Sequence, residues 1–432
     1  MKEKNKSGIN AKAMIDHNRA LVLRYLIDHG VASRADMAKE TGLTAASISK
    51  ITSALLHMEV LQETDVFGGN RGRKAIGLSI NPRRFKVVGV NFTRRSFSVG
   101  VFDLGGTLYD GHTEMISPTQ GGIQCLRQIR SVIENCIAKY PEIAAIGMAV
   151  PGPYLKKEHR ISVMTNAPEW QTVDFESEMQ NIMGRPVFFE HDANAAAMAE
   201  WYYNADCADK STLVYFMMDD GVGAGVVQNG AVFDGHKGYA GEIGHISIDV
   251  NGPRCQCGNY GCLELYCSAI EFVKEAQRGL AAHPKSSLNH LYNFDELDVF
   301  SAAKAGDSYA AELVERTGFC LGCGIINIIY AYSPSCVVLG GRMIGGGSLM
   351  MNSIMKTVRE RMNPEILQGV QIVYSRLRND PVFTGAATVA ANQLLLNLSD
   401  YCDEEERKSH DEYGAGNQSE TVYARYLEHI AE

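Results

Sequence analysis

The chain has 432 residues, of which 45% are hydrophobic and 21% charged, and its formal net charge is −9. That length exceeds what one growing core fills, so two or three domains are expected. The sequence has no run of about 18 apolar residues and no charged-then-apolar opening, which argues against a membrane span or export signal and for a cytoplasmic protein with reduced cysteines.

Charge is unevenly divided. Residues 1–86 hold fifteen Lys and Arg against eight Asp and Glu, so the remainder carries a sixteen-charge acidic excess. A basic head on an acidic body suits a nucleic-acid-binding module joined to a small-molecule domain, because phosphate contacts need local positive charge whatever the total. Within the head, Asn18 is expected to cap a helix that turns Leu21, Val22, Tyr25 and Leu26 inward and ends at Gly30. Ser33 and Asp36 form a capping-box variant opening a second helix that stops at Gly42. A third helix from Thr44 buries Ile48, Ile51 and Leu55, leaving a small, polar, acid-free face of Ala45, Ala46, Ser47, Ser49, Lys50 and Ser53. Such a face fits a major groove about 12 Å wide. Two strands, 60–66 and 75–80, then flank a glycine-rich tip with Arg71, Arg73 and Lys74, whose cations suit phosphates or a narrow minor groove. The head therefore reads as a winged helix-turn-helix over residues 1–80, with 81–86 as linker.

The body, 87–398, is expected to be α/β. It opens on an apolar strand from Val87 to Asn91, followed by Phe92, Thr93, Arg94, Arg95 and Ser96. Asp103-Leu-Gly-Gly-Thr107 reads as a hairpin turn. Further on come Gly147 to Pro153, a loop with Thr165 and Asn166, the acidic strand end Glu190-His191-Asp192, and the turn Asp219-Asp220-Gly221-Val222-Gly223. Asp192 also stands where a helix cap is needed. His245, Cys255, Cys257 and Cys262 write H-x9-C-x-C-x4-C, a closed Cys₃His set that predicts one structural Zn²⁺. Cys125, Cys136, Cys207, Cys267, Cys320, Cys323, Cys336 and Cys402 read as core or surface thiols, with Cys320 and Cys323 in a small-residue helical pattern that packing explains better than redox chemistry. Residues 399–432 form an acidic tail with no assigned role.

The window Gly238–Ser268, with Gly241-Glu242-x-Gly244-His245 and Cys255-x-Cys257-Gly258-x-x-Gly261-Cys262-x-Glu264, resembles the signature of the ROK family of repressors, open reading frames and sugar kinases. The resemblance implies a two-lobed actin-like, hexokinase-like (RNase H-like ATPase) fold, with sugar held by Asn166, His191, Asp192, Glu242, His245 and Glu264. It also implies that Asp192 is the base if the chain is a kinase, and that the winged head marks the repressor branch, which includes xylose-, N-acetylglucosamine- and glucose-type regulators. Where ROK kinases carry an Asp-x-Gly-Gly-Thr phosphate loop, this chain has Asn91 and Thr93-Arg94-Arg95. Where they carry Gly-Thr-Gly, it has Asp219-Asp220-Gly221, and two carboxylates repel a triphosphate. The sequence thus predicts a non-catalytic, sugar- or sugar-phosphate-responsive regulator that binds operator DNA as a dimer or tetramer. The alternative is an ATP-dependent ROK sugar kinase with a fused DNA-binding head.

Overall fold

A computed structural model describes residues 11–67, 75–93, 95–117, 121–155, 158, 160–162, 170, 173–204, 206–207, 209–398 and 401. Asn166, Arg71, Arg73, Lys74, Arg94, Cys402 and nearly all of the acidic tail lie outside them.

The head is built from α1 (Ala11–His29), α2 (Arg34–Thr41), α3 (Ala45–His57) and the antiparallel pair β1 (Leu61–Phe67) and β2 (Ala75–Ile80). α1 differs from expectation, since it already runs through Asn18; Ala11 to His17 contain no helix breaker, so no cap is required there. Its inward face is Ala20, Val22, Leu23 and Leu26, with Leu21 and Tyr25 only half-buried. Ser33 and Asp36 close the expected capping box, each side chain taking the other's backbone N–H at 3.2 Å. Thr44 caps α3 by accepting from the Ser47 N–H at 3.1 Å. Ile48, Ile51 and Leu55 are buried, and so is Thr52, whose hydroxyl accepts from Arg34 Nε at 3.0 Å and donates to the Ile48 carbonyl at 2.8 Å. Ala32 exchanges both backbone hydrogen bonds with Leu78, tying the helices to the hairpin.

The first lobe holds β3 (Lys86–Phe92), β4 (Ser96–Asp103), β5 (Leu108–Met115), β6 (Ile143–Val150), β9 (Asn181–Ile182) and β10 (Arg185–His191), ordered β5-β4-β3-β6-β10-β9, with the short pair β7 (Tyr154–Leu155) and β8 (Arg160–Ile161) beside it. α4 (Gly122–Lys139) covers one face through Leu126, Ile129 and Ile133, and α5 (Phe175–Met179) joins the same core. β3 starts at Lys86, one residue before the expected boundary, and Lys86 pairs with Glu142.

The second lobe is the sheet β13-β12-β11-β14-β15, formed by β11 (Thr212–Met218), β12 (Val222–Gln228), β13 (Ala231–Val232), β14 (Cys336–Gly340) and β15 (Gln371–Tyr374). Its outer layer includes α7 (Glu264–Cys267), α8 (Ala269–Gly279), α9 (Glu296–Lys304), α10 (Ser308–Tyr332), α11 (Gly347–Arg361) and α12 (Pro364–Leu367). α10 is long and apolar enough to cross a membrane, but 61% of its most apolar window is buried in this core. Between the two sheets lie α6 (Asp192–Tyr203) and α13 (Pro381–Leu396), so Ala149 of one sheet and Tyr215 of the other share a cluster with Ala195, Ala196 and Ala386. Backbone approaches so closely that a Cβ on Gly147 would stand 1.8 Å from the Ala386 carbonyl oxygen, and one on Gly225 2.0 Å from that of Ala193. Only glycine fits either position.

One cysteine expectation is corrected. Cys207 and Cys336, read as separate thiols, are joined by a disulfide, S–S 2.08 Å, across a sequence separation of 129. Cys207 lies in the segment leading into β11, and Cys336 begins the neighbouring strand β14; folding brings together what spacing could not reveal. Cys320 and Cys323 lie on α10 with no disulfide between them.

Candidate functional site

The candidate site is assembled where strands end. β10 runs directly into α6, which fixes His191 and Asp192 at the junction, His191 Nε2 lying 3.1 Å from Asp192 Oδ1. Asp192 Oδ1 also accepts from the Ala193 N–H at 2.6 Å, so the carboxylate serves the helix start. Burial holds the Asp192 carboxyl above the usual range; the His191 imidazole opposes this, while the charges of Glu242 and Asp219 raise it further.

Glu242 precedes the 3₁₀ turn Ile243–His245, with Oε2 3.8 Å from His245 Nε2. The other ring nitrogen, Nδ1, lies 3.7 Å from Cys255 Sγ, and Cys257 and Cys262 sulfurs are 3.6 Å apart. One donor atom from each of these four residues lies within 4.8 Å of the other three. The thiols converge because the chain doubles back: Cys255 N–H donates to the Asn259 carbonyl at 2.8 Å, and Gly258 and Gly261 take φ of 97° and 60°. A tetrahedral ion with sulfur at about 2.3 Å sets ligand atoms about 3.8 Å apart, so these separations fit a metal that the donor set can hold. His245 thus stands between Glu242 and the cysteine cluster.

Glu264 opens α7. Its Oε2 accepts from the Val222 N–H at 3.1 Å, so it braces the turn at 219–222 from below. That turn is not empty of partners. Arg342, just past β14, donates from Nε to Asp219 Oδ1 at 3.0 Å, reaches Asp220 with a second nitrogen, and pairs with Glu296 Oε1 at 2.9 Å. Arg95, from the β3–β4 turn of the other lobe, meets Asp220 Oδ1 at 3.2 Å. Burial alone would lower the Arg342 pKa, but Asp219 and Asp220 more than offset it and raise it. The turn at 219–222 is thus held by an internal ion-pair network.

Two further expectations can be compared with the structure. Asp103 Oδ1 accepts from the Gly105 and Thr107 N–H groups at 2.9 Å each, so Asp-Leu-Gly-Gly-Thr is the β4–β5 hairpin turn. On α3, Ala45, Ala46, Ser49, Lys50 and Ser53 are exposed, whereas Ser47 is half-buried with its hydroxyl 2.9 Å from that of Thr44. Sequence reasoning missed two residues. Neither Arg342 nor Asp380 is among the residues the sequence singles out. Asp380 caps α13 by accepting from Phe383 N–H at 2.8 Å and takes a hydrogen bond from Asn91 Nδ2 at 3.2 Å. The Asp380-Pro381 pair was the available signal.

Comparison with known proteins follows from this geometry. The chain is 28% identical to the xylose repressor of Bacillus spizizenii over 386 residues, 88% of this chain and 96% of that one. It is 29% identical to the DNA-binding transcriptional dual regulator NagC of Escherichia coli K12, covering 88% and 93%. Among solved structures, a ROK family transcriptional regulator homologous to the E. coli MLC protein superposes with a TM-score of 0.77 at 28% identity, covering 90% of this chain and all of the other. The ROK hexokinase of Thermus thermophilus gives 0.59 at 29% identity and covers 73% of this chain. Residues 87–393, the whole two-lobed body, match the ROK family, and the chain belongs to it.

Proposed function

We infer that this protein is a sugar-responsive transcriptional repressor whose cleft binds the effector and whose head binds operator DNA. The observation that carries the reading is Arg342: its pairs with Asp219, Asp220 and Glu296 occupy the turn that must stay open for a triphosphate. A sugar hydroxyl network does not need that turn. Asn166, His191, Asp192, Glu242, His245 and Glu264 are assigned to the sugar, and His245, Cys255, Cys257 and Cys262 to one Zn²⁺ that stiffens the loop carrying Glu242. Residues 1–80 are assigned to DNA as a winged helix-turn-helix, joined through 81–86 to the sugar-binding body 87–398; 399–432 is left without a role. Ala45, Ala46, Ser47, Ser49 and Lys50 face the major groove, and Arg71, Arg73 and Lys74 meet phosphates. The hydroxyl of Ser47 is shared with Thr44, so its base contact is secondary to those of Ser49 and Lys50.

Paired half-sites call for a homodimer or tetramer working in the cytoplasm. The similarity to the xylose repressor and to NagC makes D-xylose and N-acetyl-D-glucosamine, with its 6-phosphate, the first effectors to try. Calorimetry with these sugars, followed by a coupled assay for ATP hydrolysis, tests the reading. Binding without turnover supports it, and sugar-dependent turnover abolished by Asp192→Asn replaces it with the kinase.

A further inference from the structure

The head does not hang from the body on a free tether; α1 straddles both lobes. On one side Leu23 and Leu26 share a core cluster with Phe85 of the linker, Phe102 of the first lobe and Leu394 of α13. On the other side Ile27 packs against the cluster between the sheets, and polar contacts are added to it. Arg24 Nε donates to Tyr202 Oη at 3.0 Å, and a terminal guanidinium nitrogen donates to Asn392 Oδ1 at 3.0 Å. Tyr202 Oη donates to the same Asn392 oxygen at 2.9 Å, closing a three-membered ring of hydrogen bonds. Asp28, one turn further along α1, meets Lys210 at 3.5 Å, and Lys210 leads directly into β11 of the second lobe.

Tyr202 sits at the last turn of α6, and Asp192 begins that helix. Ten residues at 1.5 Å rise separate the two positions by about 15 Å. Asn392 is on α13, the other helix between the sheets. α6 and α13 touch backbone to backbone, for a Cβ on Gly385 would lie 2.0 Å from the Ala195 carbonyl oxygen. Neither helix can slide on the other without a clash, so the pair moves as one body. One end of that body carries a cleft carboxylate, and the other holds the DNA-binding head.

We propose that α6 and α13 transmit the state of the cleft to α1, and that Arg24, Tyr202 and Asn392 form the joint that sets the orientation of the head. This rests on the reading of the cleft as a sugar site. Closing the cleft on a ligand held by Asp192 shifts the start of α6. The apolar contact of α1 with the first lobe tolerates small rotations, because such contacts are non-directional. Hydrogen bonds are directional, so the Arg24 ring and the Asp28–Lys210 pair must break or turn the head. Arg24 is therefore a positioning residue with no contact to sugar or operator.

The test follows amide hydrogen exchange of the full-length protein with and without D-xylose or N-acetyl-D-glucosamine, in the wild type, Tyr202→Phe and Arg24→Gln. Tyr202→Phe keeps the ring and removes only the hydroxyl; Arg24→Gln approaches the joint from the other side, so a folding defect in one variant leaves the other informative. In the wild type, sugar should change exchange both in the cleft segment 238–246 and in α1, the latter by about 5-fold, the low end of common coupling. In both variants the cleft change should persist while the α1 change falls below about 2-fold, with urea midpoints showing a folded protein. Variants whose α1 responds like the wild type overturn the proposal, as does a wild type in which the cleft responds and α1 does not. A cleft that responds to neither sugar nor to a wider sugar panel overturns instead the sugar-site reading, which is recognisable because segment 238–246 itself stays unchanged.

Discussion

Replacing Arg342 with Ala removes one guanidinium from three carboxylates, of which Asp220 keeps Arg95 as a partner. Two of them matter little for stability: the Asp219 and Asp220 side chains are 36% and 24% exposed, and ion pairs of that kind contribute about 0–1 kcal/mol each. Glu296 is different. Only 5% of its side chain is exposed, and removing one partner of a buried pair typically costs about 3–5 kcal/mol because the other charge is stranded. Arg342 itself is one-third exposed, so water screens part of that loss and about 2–4 kcal/mol is expected. The change should be local to the second lobe. Native-state hydrogen exchange of α9, which Glu296 begins, reads it as a fall in opening free energy, and Arg342→Ala/Glu296→Gln should recover more than half by removing the stranded charge. Opening energies of α9 within about 0.5 kcal/mol of the wild type would refute the claim that Arg342 neutralises a buried acid, and with it the observation on which the proposed function rests.

Metal analysis should find about one zinc per chain, and Cys257→Ser should lose it and weaken sugar binding measured by calorimetry. Burial raises the Asp192 pKa in the folded state above its unfolded value, so its contribution to stability is present below the unfolded pKa and fades as pH rises through the folded one. Sugar binding runs the opposite way, because the ionised carboxylate accepts hydroxyls: affinity should weaken as pH falls through that raised pKa, and Asp192→Asn should flatten this dependence in pH-resolved calorimetry. Operator binding should weaken steeply with salt, and Arg73→Ala should reduce the slope of log affinity against log salt by about one in a fluorescence anisotropy titration.

Local chemistry was legible in the sequence wherever a residue acts on its own neighbourhood. Ser33 with Asp36, Thr44, the Asp103 turn and the Cys₃His loop each work within a few residues, so spacing alone announces them. Contacts between distant segments were not legible. Arg342 meets Asp219 over more than a hundred residues, and Cys207 meets Cys336 over a similar span, because β11 and β14 are neighbours only after folding. α1 shows a third limit. Its apolar positions were read as one amphipathic face, but the helix packs both inside the head and onto the body, so Leu23, which the period omitted, is fully buried.

The central claim, that the cleft controls the head, is tested most directly by an operator gel shift with and without the sugar that calorimetry identifies, comparing the wild type with Glu242→Gln and Asp192→Asn. The account predicts that sugar weakens wild-type operator binding by about 5- to 150-fold, and that both variants bind operator normally but no longer respond. Variants that release DNA on adding sugar as readily as the wild type would contradict it, because the effector would then be acting outside this cleft.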